Sequence, residues 1–215
     1  MEGVLGMISI AIPYHGDRLK WTLQTVLNCH NLNYVRDIVI AMDSPTRTEY
    51  KEVCHRTRNY SKVRVVPCED RLFVLKNKIR AVELCTQEWV ALIDSDNVVS
   101  NRFLAPIMRL PLNKDIIYCP EYGVTKLDYS EFNGLDIGFA TVSKIKNNPR
   151  FAMLLNTGNY LFNKKRWLDA VKAPVDNEIE NPWAVDVLWA NYKCLKSGMV
   201  MRIVRGCTSV SYTHL

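Results

Sequence analysis

Over its first half the chain alternates between short apolar runs and segments with helical spacing, and the apolar runs end at polar or acidic residues. Met7 to Ile12 reads as a buried strand ending at Pro13, and Leu19, Leu23, Val26 and Leu27 recur on one helical face behind Asp17 as a cap. Asp37 to Met42 is a second strand, followed by the turn signal Asp43-Ser44-Pro45 and a polar helix through about Tyr60. Val63 to Val66 is a third strand. Leu75, Ile79 and Val82 mark one face of the next helix, and Trp89 to Ile93 is a fourth strand running straight into Asp94. Strands joined through helices of roughly 10–15 residues pair in parallel by crossovers, so the fold class is α/β. Ligands of such sheets sit beyond the carboxyl ends of the strands. Three of those ends deliver polar groups here: Tyr14-His15-Gly16-Asp17, Asp43 and Asp94-Ser95-Asp96.

The second half is less regular. Ile116 to Cys119 and Asn159 to Phe162 read as short strands, and Lys164 to Val171 as a helix. Residues 121–149, with Gly123, Gly134 and Gly138, read as long loops with short strands, the usual place of substrate contacts. Asn181-Pro182 supplies an N-cap and a proline at the first helical position, so a helix is expected from there to about Ser197, stopped by Gly198. Val200 to Val204 is a final strand.

A length of 215 residues suits one domain. The content of 48% apolar and 23% charged residues suits a soluble globular protein, and no apolar run reaches the roughly 18 residues of a membrane span. The net charge of +6 is diffuse and does not point to nucleic acid. Seven scattered cysteines without a C-x-x-C fit reduced thiols better than a disulfide frame or a zinc site. Glu2 and the lack of a basic N-terminal region argue against a signal peptide, so a cytoplasmic location is expected.

Asp94-Ser95-Asp96 is the strongest local signal. Two carboxylates one residue apart, just past a buried strand, can reach one hard cation, and magnesium typically binds through one or two carboxylates plus substrate phosphates. A diphosphate leaving group needs that neutralisation. The same tripeptide also serves as a turn in which one aspartate caps the next helix.

The order of these segments resembles the GT-A fold glycosyltransferases, especially the large inverting family of soluble and processive sugar transferases, over about residues 7 to 214. Ile8 to Tyr14 resembles the family's opening strand. Asp43 matches the acidic residue after the second strand, Lys76-Asn77 resembles the Arg-Asn pair before the metal motif, and Asp94-Ser95-Asp96 matches the D-x-D. Asn156-Thr157-Gly158-Asn159 resembles the glycine-centred segment near the acceptor, Ala184-Val185-Asp186 falls where the family has Glu-Asp, and Tyr212-Thr213-His214 resembles a C-terminal histidine that joins the metal shell in some members. The chain also resembles the small transferases of this kind in large algal viruses, which would place it in a host cytoplasm.

The resemblance implies a single domain with a GT-A (Rossmann-like), mixed but mainly parallel sheet. Residues 1–6 would be an N-terminal extension, 7–110 the nucleotide-sugar-binding half, and 111–215 the acceptor-binding and catalytic-base half. It implies transfer of a sugar, a hexose by expectation, from a UDP-sugar to an acceptor hydroxyl with inversion. The acceptor would be a glycan, a glycoprotein or a small molecule, and no nucleic-acid partner or integral membrane segment is expected. Asp96 would ligate Mn2+ (or Mg2+), with Asp94 on the ribose or the metal shell, and His214 favours manganese. Pro13, Tyr14, His15 and Asp43 would line the base and ribose pocket, with Lys76, Asn77 and Ser95 close to the donor. Asp186 would be the general base, kept ionised by its place in the second turn of its helix. Gly158 and Trp183 would serve acceptor or sugar, with Tyr122, Tyr129 and Phe139 as further ring platforms. Trp21, Trp89, Trp167 and Trp189 read as core.

Three departures stand out: Val185 replaces the usual Glu, Lys76 replaces Arg, and His15-Gly16 replaces a commoner Tyr-Asn. Two other readings share these features. A sugar-phosphate nucleotidyltransferase would share the sheet and the metal, but this chain lacks a glycine-rich basic phosphate loop after its first strand. A non-catalytic nucleotide- or carbohydrate-binding domain of the same fold would tolerate Val185.

Overall fold

The structure, a computed structural model, describes residues 6–124, 127–145, 147–155, 159–173 and 186–211. Its elements are β1 (Ile8–Tyr14), α1 (Leu19–Cys29), β2 (Val35–Asp43), α2 (Arg47–Thr57), β3 (Val63–Cys68), α3 (Phe73–Leu84), β4 (Trp89–Leu92), β5 (Asn97–Val98), α4 (Asn101–Met108), β6 (Ile116–Val124), β7 (Leu127–Asp128), β8 (Asp136–Ile137), α5 (Phe139–Ile145), α6 (Pro149–Leu155), β9 (Tyr160–Asn163), α7 (Lys164–Lys172), α8 (Asp186–Lys196) and β10 (Val200–Ser211). One sheet runs in the order β3-β2-β1-β4-β9-β6-β10-β5, with β7 on β6 and β8 on β10. The pairs β3-β2, β2-β1, β1-β4 and β6-β10 are parallel, whereas β9 is antiparallel to both β4 and β6. This is the expected mixed α/β sheet.

Every residue of β1 is buried, as befits a central strand covered on both faces. Ile8, Ile10, Ile12 and Tyr14 pack on the side of α1 and α4, and Ala11 packs on the side of α3, α7 and α8. Pro13 is tolerated for a local reason. Ala11 accepts from Ile93, so its amide edge faces β4, and Pro13 turns the same edge towards the space beyond Leu92, where β4 has ended. A missing N–H there removes no ladder bond. The sheet thus opens at the carboxyl ends of β1 and β4, and the chain leaves β4 through a turn in which Asn97 N–H donates to Asp94 O.

Several expectations shift. Helix α1 buries Leu19, Thr22, Thr25, Val26 and Cys29, while Leu27 is exposed. Its N-cap is Arg18, without a side-chain cap bond, rather than Asp17. The stretch 121–149, read as long loops with short strands, does hold the short strands β7 and β8, but β6 also extends into it to Val124, and it contains the seven-residue helix α5, with the equally short α6 beginning at Pro149. Strand β10 continues past Val204 to Ser211, because Gly206 at φ +76° accommodates the irregularity between Val204 and Thr208. Of the four tryptophans read as core, Trp167 is buried and stacked on Phe162, whereas Trp21, Trp89 and Trp189 are half-buried. All seven cysteines are free thiols. No helix among the described residues is long and apolar enough to cross a membrane.

Candidate active site at the carboxyl edge of the sheet

Tyr14 ends β1, Asp43 ends β2, and Asp94 follows β4 by two residues, so the three polar strand ends lie at one edge. The turn after β2 is held tightly. Asp43 is buried, and its Oδ1 accepts the Leu72 amide at 2.6 Å. Ser44 and Phe73, on either side of this closure, adopt φ of 47° and 62°. Left-handed backbone at two non-glycine residues costs on the order of 1–3 kcal/mol each and persists only where its surroundings enforce it. The Asp43 carboxylate is part of that enforcement. Exposed His15 reaches back to the same place, with Nδ1 3.3 Å from Asp43 O.

Asn77 lies inside α3 and is buried. Its amide donates to Ala41 O at 3.1 Å and Tyr14 O at 3.5 Å, tying β2 and β1 together, and its Oδ1 has no partner. Lys76, one position earlier, is exposed. The buried cation of this helix is Lys78, 4% exposed. Its Nζ stands 2.8 Å from Asp94 Oδ1 and 2.7 Å from Asp186 Oδ2. Burial works against charge on this ammonium, but Asp94 and Asp186 outweigh it, and its pKa is raised above the ordinary lysine value. The Asp186 contact is an ion pair rather than an aligned hydrogen bond. Asp186 stands at the start of the described part of α8, and residues 181–185, where the helix is expected to begin, lie outside the described residues.

Asp96 has its own cation: Arg18 Nη1 lies 3.0 Å from Asp96 Oδ2. The pKa of Asp96 is nevertheless raised, chiefly by burial, with Arg18 opposing and Asp94 adding to the rise. Between the two aspartates, the Ser95 hydroxyl is buried without a partner. The loop is clamped from α1. Thr22 Oγ1 donates to Ser95 O, and Thr25 Oγ1 donates to Asn97 O and accepts from Val99 N. Asn97 reaches across to Asn159.

Among the described residues no group of three His, Cys, Asp or Glu side chains gathers as a metal cage. What gathers is a smaller set. Asp94 and Asp96 each engage a cation through one carboxylate oxygen, and the hydroxyl of Ser95, between them in the chain, has no partner. That set fits an ion that takes its remaining ligands from phosphate oxygens and water. His214, Gly158 and Trp183 lie outside the described residues, as does Val185. Of the ring platforms, Tyr129 is buried in the core and Tyr122 is exposed. Phe139 helps to line an apolar groove of about 380 Å³ with Leu188, Trp189 and Tyr192 of α8.

Sequence reading missed Lys78, Arg18, Thr22 and Thr25. A signal for Lys78 was present: it stands three residues after Leu75 and four before Val82, on the apolar stripe of α3, where an unpaired lysine would be costly.

The family described as glycosyl transferase family 2 matches residues 9–163. No curated protein matches the chain. Among solved structures, the chain is similar to S. aureus TarS 1–349, with a TM-score of 0.64 and 16% identity over 95% of this chain and 60% of that one. It is also similar to GalNAc-T7 with UDP, GalNAc and Mn2+, with a TM-score of 0.69 and 13% identity over 98% of this chain and 44% of that one. The chain therefore spans less than two thirds of either, and at these identities the likeness speaks for the fold, which is GT-A.

Proposed function

Because the chain belongs to glycosyl transferase family 2, we propose that it moves a sugar, a hexose, from a UDP-sugar to an acceptor hydroxyl with inversion. The acceptor is a glycan, a glycoprotein or a small molecule. The observation that carries this reading is the shared ammonium of Lys78, which makes the Asp186 carboxylate a direct neighbour of the Asp94-Ser95-Asp96 loop. A proton acceptor beside a donor motif is the arrangement that displacement at an anomeric carbon needs.

In the reaction the acceptor oxygen forms a bond to the anomeric carbon on the face opposite the diphosphate. The bond from that carbon to the phosphate oxygen breaks, and its electron pair leaves with the nucleoside diphosphate. Asp186 takes the hydroxyl proton as the new bond forms. Asp96 and Asp94 would hold Mn2+ or Mg2+, which neutralises charge on the departing diphosphate. Tyr14, Pro13, His15 and Asp43, at the carboxyl ends of β1 and β2, would line the base and ribose pocket. The UDP and Mn2+ bound by structurally similar GalNAc-T7 favour the same ligands here.

Thermal stabilisation by UDP, GDP and CDP, each with and without Mn2+, tests the donor side. The expected result is a shift with UDP that requires Mn2+ and is lost in Asp96→Ala. If no nucleoside diphosphate gives a metal-dependent shift, the reading fails. Formation of a nucleotide sugar from a sugar phosphate would replace it with nucleotidyl transfer.

A further inference from the structure

Lys78 sits where a lysine is expensive. Helix α3 packs against β1 and β2, and position 78 lies on the buried stripe of that helix. A buried ammonium is retained only when it is paired, and a single carboxylate would neutralise it. Lys78 has two, delivered by distant parts of the chain: Asp94 from the loop after β4 and Asp186 from α8. The cluster therefore keeps a net negative charge. Neutralising the lysine does not account for the second acid, whereas holding two acids together does.

We propose that Lys78 is a positioning residue whose ammonium fixes the Asp186 carboxylate against the donor loop, so that the proton acceptor is aimed before the acceptor hydroxyl arrives. This rests on the reading of Asp186 as proton acceptor. The benefit is geometric. A misplacement of the proton acceptor by about 1 Å can cost on the order of 100-fold in rate. When Asp186 takes the proton, the cluster passes from one net negative charge to none, and Lys78 keeps its own proton with Asp94 as remaining partner.

The test is a double-mutant cycle on sugar transfer with Lys78→Met, Asp186→Asn and both together. The expected result is that Lys78→Met lowers kcat by about 10- to 100-fold, leaves the donor KM within about threefold, and costs less than about threefold more when Asp186 is already Asn. A purely structural lysine gives the full loss again on the Asp186→Asn background, which overturns the proposal while leaving the proton-acceptor reading intact. A rise in donor KM at unchanged kcat also overturns it, since Lys78 would then serve the donor through Asp94. Full activity in Asp186→Asn sinks the proton-acceptor reading itself, and the proposal with it. If Lys78→Met does not fold, Lys78→Gln carries the same comparison, because its neutral side chain, one atom shorter, cannot bridge both carboxylates as the ammonium does.

Discussion

The Arg18 guanidinium lies 3.0 Å from Asp96 Oδ2, so the side chain assigned to the metal is already paired with a cation of the protein. On the proposed reading, Arg18 and a divalent ion would compete for Asp96. Arg18 is 42% exposed, and exposed pairs are worth about 1 kcal/mol or less. Arg18→Gln should therefore tighten Mn2+ binding by no more than about fivefold. Titration of Mn2+ alone, followed by the free-ion EPR signal, measures it. Unchanged or weaker binding would show that Arg18 supports the loop instead of competing for it.

Asp96 also makes a stability prediction. Its folded-state pKa is raised, mainly by burial, so the folded protein binds the Asp96 proton more tightly than the unfolded chain does. Above the folded pKa the ionised carboxylate costs stability, and as pH falls through it that cost disappears. Asp96→Asn, which never ionises, should raise the melting temperature of the metal-free protein at pH 7 by about 2–4 °C per kcal/mol gained. The gap should close as the pH is lowered into the range where Asp96 takes up its proton. A lower melting temperature for the variant at pH 7 would show that the Arg18 pair outweighs burial.

The first half of the fold was legible because its central parallel strands are buried on both faces and read as continuous apolar runs, β1 and β2 above all. The ends of those runs located Tyr14, Asp43 and Asp94. The short helices after β6 were not legible: α5 and α6 have seven residues each, too few for a 3.6-residue period to declare itself. Within the site, Asp94, Asp96 and Asp186 announce themselves as acids near strand and helix ends, but their cations do not. Lys76 stands beside Asn77 and draws the motif match, yet the helical turn sends Lys76 to solvent and Lys78 inward. Pairing between residues as distant as 78 and 186 has no local signature.

The thiols give a check that is independent of activity. Burial pushes Cys29, Cys85 and Cys194 up to about 12, and Cys119 and Cys207 are raised further. Only the thiolate reacts readily with disulfide reagents. Cys54 and Cys68 are the two that are not fully buried. In the folded protein an aromatic disulfide reagent should therefore modify two thiols rapidly, and all seven after denaturation. A rapid native count above two would place one of the buried cysteines on a mobile part of the fold. A total below seven in denaturant would reveal a disulfide.

Thr25 is fully buried in α1, and its hydroxyl holds the chain just after the Asp94-Ser95-Asp96 loop, donating to Asn97 O and accepting from Val99 N, both at 3.3 Å. Thr25→Val keeps the volume but strands both backbone groups in the interior, and an unsatisfied buried group costs about 1–3 kcal/mol. The variant should melt lower by about 2–4 °C per kcal/mol lost. The loop it frees runs into Asp96, so the Mn2+-dependent stabilisation by UDP should shrink as well, in a fold that is otherwise intact by circular dichroism. Thr25→Ser restores the hydroxyl without the methyl and should recover most of that ligand-dependent shift. Thr22→Val removes one bond, to Ser95 O, and should fall between wild type and Thr25→Val. If Thr25→Val lowers the melting temperature yet keeps the full UDP shift, the loop is fixed instead by the Asn97 side chain on Asn159 and by the pairing of β5 with β10. The α1 threonines then stabilise the fold without shaping the donor site.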